Sequence, residues 1–196
     1  MSKSINTKTL NIKSTSKKPV ITDCKVIAQS RLFRIEQLDI TFSNGEQVEY
    51  ERLKGSSRGG VLVVALQADN TVLMVREYSA GVERYELMFP KGRIESDEPI
   101  EEAANRELQE EVGFAARKLT LVKSMTLAPG YMGHLTHVVL AEDLYPAALM
   151  GDEPEPLEVV SWELDKINEL AVQDEVTEAR TIAAGYIVKA LLESRA

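Results

Sequence analysis

Glu107, Glu110 and Glu111 are spaced i, i+3 and i+4, so on a helix their carboxylates converge. The stretch from Pro99 to Gly113 predicts that helix, with Pro99 suited to a first helical position and Gly113 to a stop. At roughly 100° per residue, Ile100, Ala103, Ala104 and Leu108 share one apolar face. Glu102, Asn105, Arg106 and Gln109 fall opposite, towards water. The three acids overlap the apolar face. Converging carboxylates repel one another, and burying them unpaired costs more. A hard divalent cation with oxygen ligands, Mg²⁺ or Mn²⁺, removes both penalties. The competing reading, a solvated acidic face, would put the acids on the other side.

The same stretch carries a longer pattern. Gly92, Glu98 and Arg106-Glu107-Leu108-x-Glu110-Glu111-x-Gly113-Phe114 match all nine specified positions of the 23-residue Nudix box. The chain therefore resembles a Nudix hydrolase, which implies cleavage of a nucleoside diphosphate linked to another group. The resemblance implies that Glu107, Glu110 and Glu111 hold the metal ions, joined by the backbone carbonyl of Lys91. Gly92 lets the backbone approach the site. Arg106 orients the glutamates through charge-assisted bonds, and Glu98 is structural, near the helix start where negative charge is favourable.

Over residues 25–192 the chain is similar to the bacterial ADP compounds hydrolases and ADP-ribose pyrophosphatases. That resemblance implies action on ADP-ribose, diadenosine polyphosphates such as Ap3A, and NADH, with release of AMP. Pro129, sixteen residues beyond Gly113, stands where ADP-ribose-cleaving relatives carry a proline. In such relatives the general base comes from a loop before the final strand, which here implies Glu153, with Glu155 as an extra metal ligand. In other members a glutamate of the box does this work, and a plain solvated acidic loop is the bland alternative. Phosphate contacts fall to Arg52 and Arg76, and Phe33 stacks on adenine across a homodimer formed by the N-terminal strands. For each, the rival reading is a structural strand arginine or a core phenylalanine. Three departures stand out: Ser79 follows Tyr78 where an arginine is usual, Pro90-Lys91-Gly92 replaces Pro-Ala-Gly, and the NADH-type motif after the box is absent, which makes NADH a secondary substrate. A metal-free binding module, a cap or polyphosphate hydrolase and an isoprenoid-type hydrolase are the rival functions.

Several elements must position these residues. Residues 1–18 hold five Lys, seven Ser or Thr and no acid, and read as a disordered tail. Residues 19–56 form a β extension, the expected dimerisation element, and 57–196 the hydrolase domain. In the extension, Val26-Ile27 and Leu32–Ile35 read as short strands. Leu38–Phe42 and Gln47–Leu53 alternate around Asn44-Gly45, a hairpin signal. Lys54–Gly60 is a loop. Val61–Leu66 is a continuous apolar run, as in a strand covered on both faces. Further strands are expected at Thr71–Tyr78, Glu86–Phe89, Leu119–Leu127, Thr136–Ala141 and Leu157–Trp162, and helices at Leu164–Leu170 and Glu175–Ser194. A mixed sheet between helical layers follows, agreeing with the α/β/α sandwich that the resemblance implies, plus an N-terminal antiparallel extension.

Composition bounds the rest. The chain has 196 residues, 44% of them apolar, and a formal net charge of −8. A nucleic-acid surface would need clustered Lys and Arg, which this balance disfavours. Cys24 is single, which excludes an intrachain disulfide and suits a reducing, cytoplasmic compartment. No apolar run reaches the roughly 18 residues that a membrane helix needs. His134 and His137 would point to opposite faces of a strand and so hold no common metal. Trp162 is a wall or core residue.

Overall fold

The structure, a computed structural model, describes residues 17–55 and 58–195. All but the last two residues of the expected tail, and Ser56 and Ser57 of the loop before the hydrolase domain, lie outside the described residues. The chain divides into two compact units, one up to Leu53 and one from Lys54 onward.

The first unit is an antiparallel sheet of β1 (Val20–Gln29), β2 (Arg34–Thr41) and β3 (Gln47–Leu53), in that order. The Asn44-Gly45 turn is formed as its residues predict, with the Glu46 N–H donating to Asn44 Oδ1 at 3.1 Å. The first strand is far longer than the two-residue piece that the sequence suggests. Register shifts between Ile21 and Asp23 and between Val26 and Ala28 explain the misreading. Each bulge inserts a residue and breaks the period-2 pattern, so apolar residues appear in adjacent pairs rather than in alternation. Leu32 and Phe33, expected in a strand, lie in the turn before β2.

The second unit is built on a sheet ordered β10-β5-β4-β9-β8. Its strands are β4 (Gly60–Leu66), β5 (Thr71–Ser79), β6 (Arg84–Met88), β7 (Lys91–Arg93), β8 (Phe114–Thr126), β9 (Leu135–Pro146) and β10 (Glu158–Glu163). β4 and β9 run parallel, and the other pairs are antiparallel. β4 and β5 pair only at Ala65↔Leu73 and Leu66↔Val72. Beyond that point they part, β6 taking the edge of β5 and the short β7 that of β4. The fork delivers Lys91-Gly92-Arg93 to the foot of α1 (Ile100–Glu111).

Two hydrophobic layers cover the sheet, and β4 alternates between them. Val61, Val63 and Ala65 face the layer containing Ala103, Ala104 and Leu108 of α1. Leu62 and Val64 face the layer containing Ile167 and Leu170 of α2 (Ile167–Leu170) and Ala184 and Val188 of α3 (Ala179–Glu193). A strand buried on both sides has no polar face, which is why its apolar run is unbroken. The helix expected at Leu164–Leu170 is a 3₁₀ turn at Leu164–Lys166 running into α2. β8 starts directly after Gly113, five residues earlier than its alternation suggests.

Candidate active site

Helix α1 begins at Ile100, one position later than Pro99 was expected to open it. Pro99 has φ −62° and ψ 150°, the extended backbone of a residue just outside the first turn. Glu101 and Glu102 occupy that turn, where negative charge meets the positive end of the helix dipole. The helix stops at Val112 and Gly113, whose φ of +77° only glycine adopts without strain.

On this helix Glu107 and Glu111 are each 8% exposed, on the same side as Ala103, Ala104 and Leu108. Glu110 is half-buried. The face expected to be wet is only partly so: Glu102 is exposed. Asn105, Arg106 and Gln109 are half-buried. The Ala116 N–H donates to Asn105 Oδ1 at 2.8 Å, and the Leu149 N–H to the Gln109 carbonyl at 3.1 Å. Periodicity reports the face towards the main core. It cannot report that β8 and the loop after β9 cover the opposite one.

Arg106 is the hub of this arrangement. Its Nε and Nη2 donate to the two oxygens of Glu98 at 2.9 and 3.1 Å, and Nη1 donates to Glu107 Oε1 and Glu110 Oε2, both at 2.8 Å. Nη2 also donates to the Arg93 carbonyl at 2.9 Å, which ties helix to β7. Bonds from Arg106, then from the Glu95 N–H, hold the Glu98 carboxyl below its ordinary range despite partial burial. Glu107 moves the other way: burial, helped by Glu110 and Asp152, outweighs Arg106 and raises it.

Glu111 has no such cation in contact. It accepts the Lys91 N–H at 3.3 Å, while the Lys91 ammonium sits 2.6 Å from Glu77. Burial, opposed by the Lys91 charge and reinforced by Glu107 and Glu77, pushes Glu111 up to about 8. Gly92 completes the close approach, since a Cβ there would lie 2.0 Å from the Glu107 carboxylate. Among the described residues no three acids or imidazoles stand in ligand geometry for one ion, with Glu107 and Glu110 both turned onto Arg106. The donor set nonetheless fits a divalent cation. It is all oxygen, and one buried carboxyl is charged at neutral pH only if a cation joins it.

A cavity of about 610 Å³ opens here, lined by Lys91, Gly92, Arg93, Arg106, Glu107 and Glu110 and, from the loop after β9, by Met150, Asp152 and Glu153. Glu153 is raised by burial, Glu77 and Asp152, against Lys91.

A model of the NUDIX domain matches residues 56–185, and a model of the NudE-type Nudix hydrolase N-terminal domain matches residues 19–52. The chain belongs to the Nudix hydrolase family. It is 43% identical over 178 residues to the ADP compounds hydrolase NudE of Escherichia coli, covering 91% of this chain and 95% of that one. To the ADP-ribose pyrophosphatase of Bacillus subtilis it is 33% identical over 168 residues, covering 82% and 89%. A crystal structure of an ADP compounds hydrolase superposes with a TM-score of 0.86 at 42% identity, covering 93% of this chain and 98% of that one. The protein is thus a pyrophosphohydrolase of a divalent-metal-dependent family, and the fold is the expected mixed-sheet sandwich with an antiparallel N-terminal sheet.

Gly92, Arg106, Glu107 and Glu110 of the Nudix box line one cavity with Glu153, while Glu111 is not in its lining. Glu155, Arg76 and Pro129 of the second unit, also expected at the site, do not line this cavity. Glu155 accepts a hydrogen bond from the Tyr85 hydroxyl at 2.6 Å and does not line the cavity. Arg76 pairs with Glu158 at 2.5 Å and Glu175 at 2.9 Å. Pro129 sits in a turn closed by the Met132 N–H on the Ala128 carbonyl at 2.8 Å. In the N-terminal unit, Arg52 pairs with Glu36 at 2.7 Å and Phe33 is 55% exposed. His134 lies just before β9 rather than within it, and His137 bonds Ser124 at 2.8 Å and the Arg58 carbonyl at 3.3 Å. Trp162 donates to the Lys166 carbonyl at 3.2 Å. Sequence reasoning did not single out Glu77, Arg93, Met150 or Asp152. The signal for Arg93 was its place directly after the box glycine, unread because β7 is only three residues long.

Proposed function

We propose that this enzyme hydrolyses the pyrophosphate of ADP-linked compounds, namely ADP-ribose, diadenosine polyphosphates and NADH, and releases AMP with Mg²⁺ as cofactor and Mn²⁺ as substitute. The observation that carries the reading is the pair Glu107 and Glu111, buried without enough cation against the Lys91-Gly92 backbone. The names of the relatives in Escherichia coli and Bacillus subtilis support the choice of ADP-linked substrates.

In this reading Glu107, Glu110, Glu111 and the Lys91 carbonyl hold the metal. A dication held there would supply charge neutralisation on the phosphate oxygens and activation of the attacking water. Glu153, which lines the cavity and is raised by burial, Glu77 and Asp152, accepts the proton of the attacking water, a raised carboxyl being the stronger base. The water oxygen bonds to phosphorus, the bridging P–O bond breaks, and AMP leaves with the second phosphate kept on the other product. Arg106 aligns Glu107 and Glu110 from behind. Glu155, held by Tyr85, is assigned to positioning the loop rather than to metal. The substrate is a small molecule, and nucleic acid and membranes play no part. No helix among the described residues is long and apolar enough to cross a membrane, which together with the single cysteine supports a cytoplasmic enzyme. The N-terminal sheet, with its exposed apolar residues, is the proposed homodimer element.

The test is a panel of nucleotide diphosphates with Mg²⁺, run on the wild type, Glu111→Gln and Glu153→Gln. We expect AMP from the adenylated members only, with Glu111→Gln slower by about 10²-fold or more and Glu153→Gln slowed at saturating metal. Equal rates for Glu111→Gln would end the metal-site assignment. Cleavage confined to non-adenine substrates would end the choice of substrate.

A further inference from the structure

Polyanion binding in this cavity faces an electrostatic obstacle. Five of its lining residues are carboxylates, Glu95, Glu107, Glu110, Asp152 and Glu153. Arg106 also lines it, but that guanidinium is bonded to Glu98, Glu107 and Glu110. Metal offsets part of the charge, and a phosphate group beyond the metal's reach still needs a donor.

The arginines of the second unit are nearly all committed. Arg58, Arg76, Arg84, Arg106, Arg117, Arg180 and Arg195 each have a carboxylate partner. Arg93 lines the same cavity as the five acids, yet among the described residues its side chain makes no hydrogen bond or ion pair. Its backbone is firmly held: β7 pairs it with Gly60, and its carbonyl accepts from Arg106 at 2.9 Å. A rigid base with an uncommitted guanidinium suits recognition, because no existing bond has to be broken when an anion arrives.

Arg93 also stands on a border. A second cavity, of about 210 Å³, shares Lys91, Gly92 and Arg93 with the first and adds His134, Thr136 and Arg180, with no acid in its lining. The two cavities therefore differ in charge on either side of one strand. We propose that Arg93 is a further substrate-binding residue: its guanidinium binds the phosphate that lies on the basic side of the scissile bond, away from the glutamates proposed to hold metal. Guanidinium and phosphate match in bidentate geometry, which a lysine cannot reproduce. The inference rests on the pyrophosphatase reading and adds a residue to it.

The experiment compares wild type, Arg93→Ala and Arg93→Lys, in steady state on ADP-ribose with Mg²⁺ and, without turnover, by calorimetric binding of inorganic pyrophosphate. Arg93→Ala is expected to raise KM at least about tenfold with kcat within about threefold, the size of one lost charge-assisted bond made alike in ground and transition states. Pyrophosphate affinity should fall by a similar factor, and Arg93→Lys should recover part of both. Unchanged KM and pyrophosphate affinity in Arg93→Ala would overturn the assignment, as would a loss seen only as a lowered melting temperature. If the wild type cleaves no ADP-linked compound, the substrate reading fails, and the pyrophosphate measurement still decides whether Arg93 binds phosphate.

Discussion

In the metal-free protein the Glu111 carboxyl keeps its proton at pH 7, because burial pushes it up to about 8 from an ordinary 4.5. The folded form then binds more protons than the unfolded chain between those two values, so stability falls as pH rises through that window. Below about 4.5 the contribution is fully present, and above about 8 it is lost. A metal ion that takes the site displaces the proton. Calorimetry of Mn²⁺ binding at pH 7 in buffers of different ionisation enthalpy should register proton release, fading above about pH 9 and missing in Glu111→Gln. Heats that do not depend on the buffer would show that this carboxyl is already ionised. The inward turn of Glu107 and Glu111 was legible from their spacing. Which of them Arg106 already holds was not, since that depends on Glu98 and the Arg93 carbonyl arriving from outside the helix.

The element that makes the site is the contact between β7 and α1. A side chain at Gly92 would strike the Glu107 carboxylate, the far end of a flexible group, and that end can swing aside at little cost to the fold. Function is less tolerant, because displacing a ligand by about an ångström costs on the order of 10²-fold in rate. Gly92→Ala is therefore expected to melt within a few degrees of wild type while its kcat falls at least about tenfold; a large drop in melting temperature with activity retained would contradict this. The long elements were readable from pattern: β4 from its unbroken apolar run, α1 from its periodicity and its stop. β1 and β7 were not, the one because bulges break its alternation and the other because three residues carry no period.

At the scale of the molecule, β1 is an edge strand with all ten residues exposed, among them Val20 at 62%, Ile21 at 48%, Val26 at 45% and Ile27 at 46%. An exposed apolar edge invites pairing with another chain, which supports the proposed homodimer. Sedimentation at micromolar concentration should give twice 21.8 kDa for the wild type and a monomer for the Ile21→Lys, Val26→Lys double variant. A monomeric wild type would remove the dimer. The acidic balance of the chain told against nucleic acid but said nothing of where its few cations stand. Most of the arginines among the described residues are consumed in ion pairs, as Arg76 is with Glu158 and Glu175.

The sequence by itself determined the acid-bearing helix and the family, because both depend on one continuous stretch of residues. The tertiary structure alone decided that Glu155 is drawn off by Tyr85, and that Arg93 is left without a side-chain partner among the described residues. Each of those outcomes turns on a partner far away in sequence or on the absence of one, and local spacing carries no record of either.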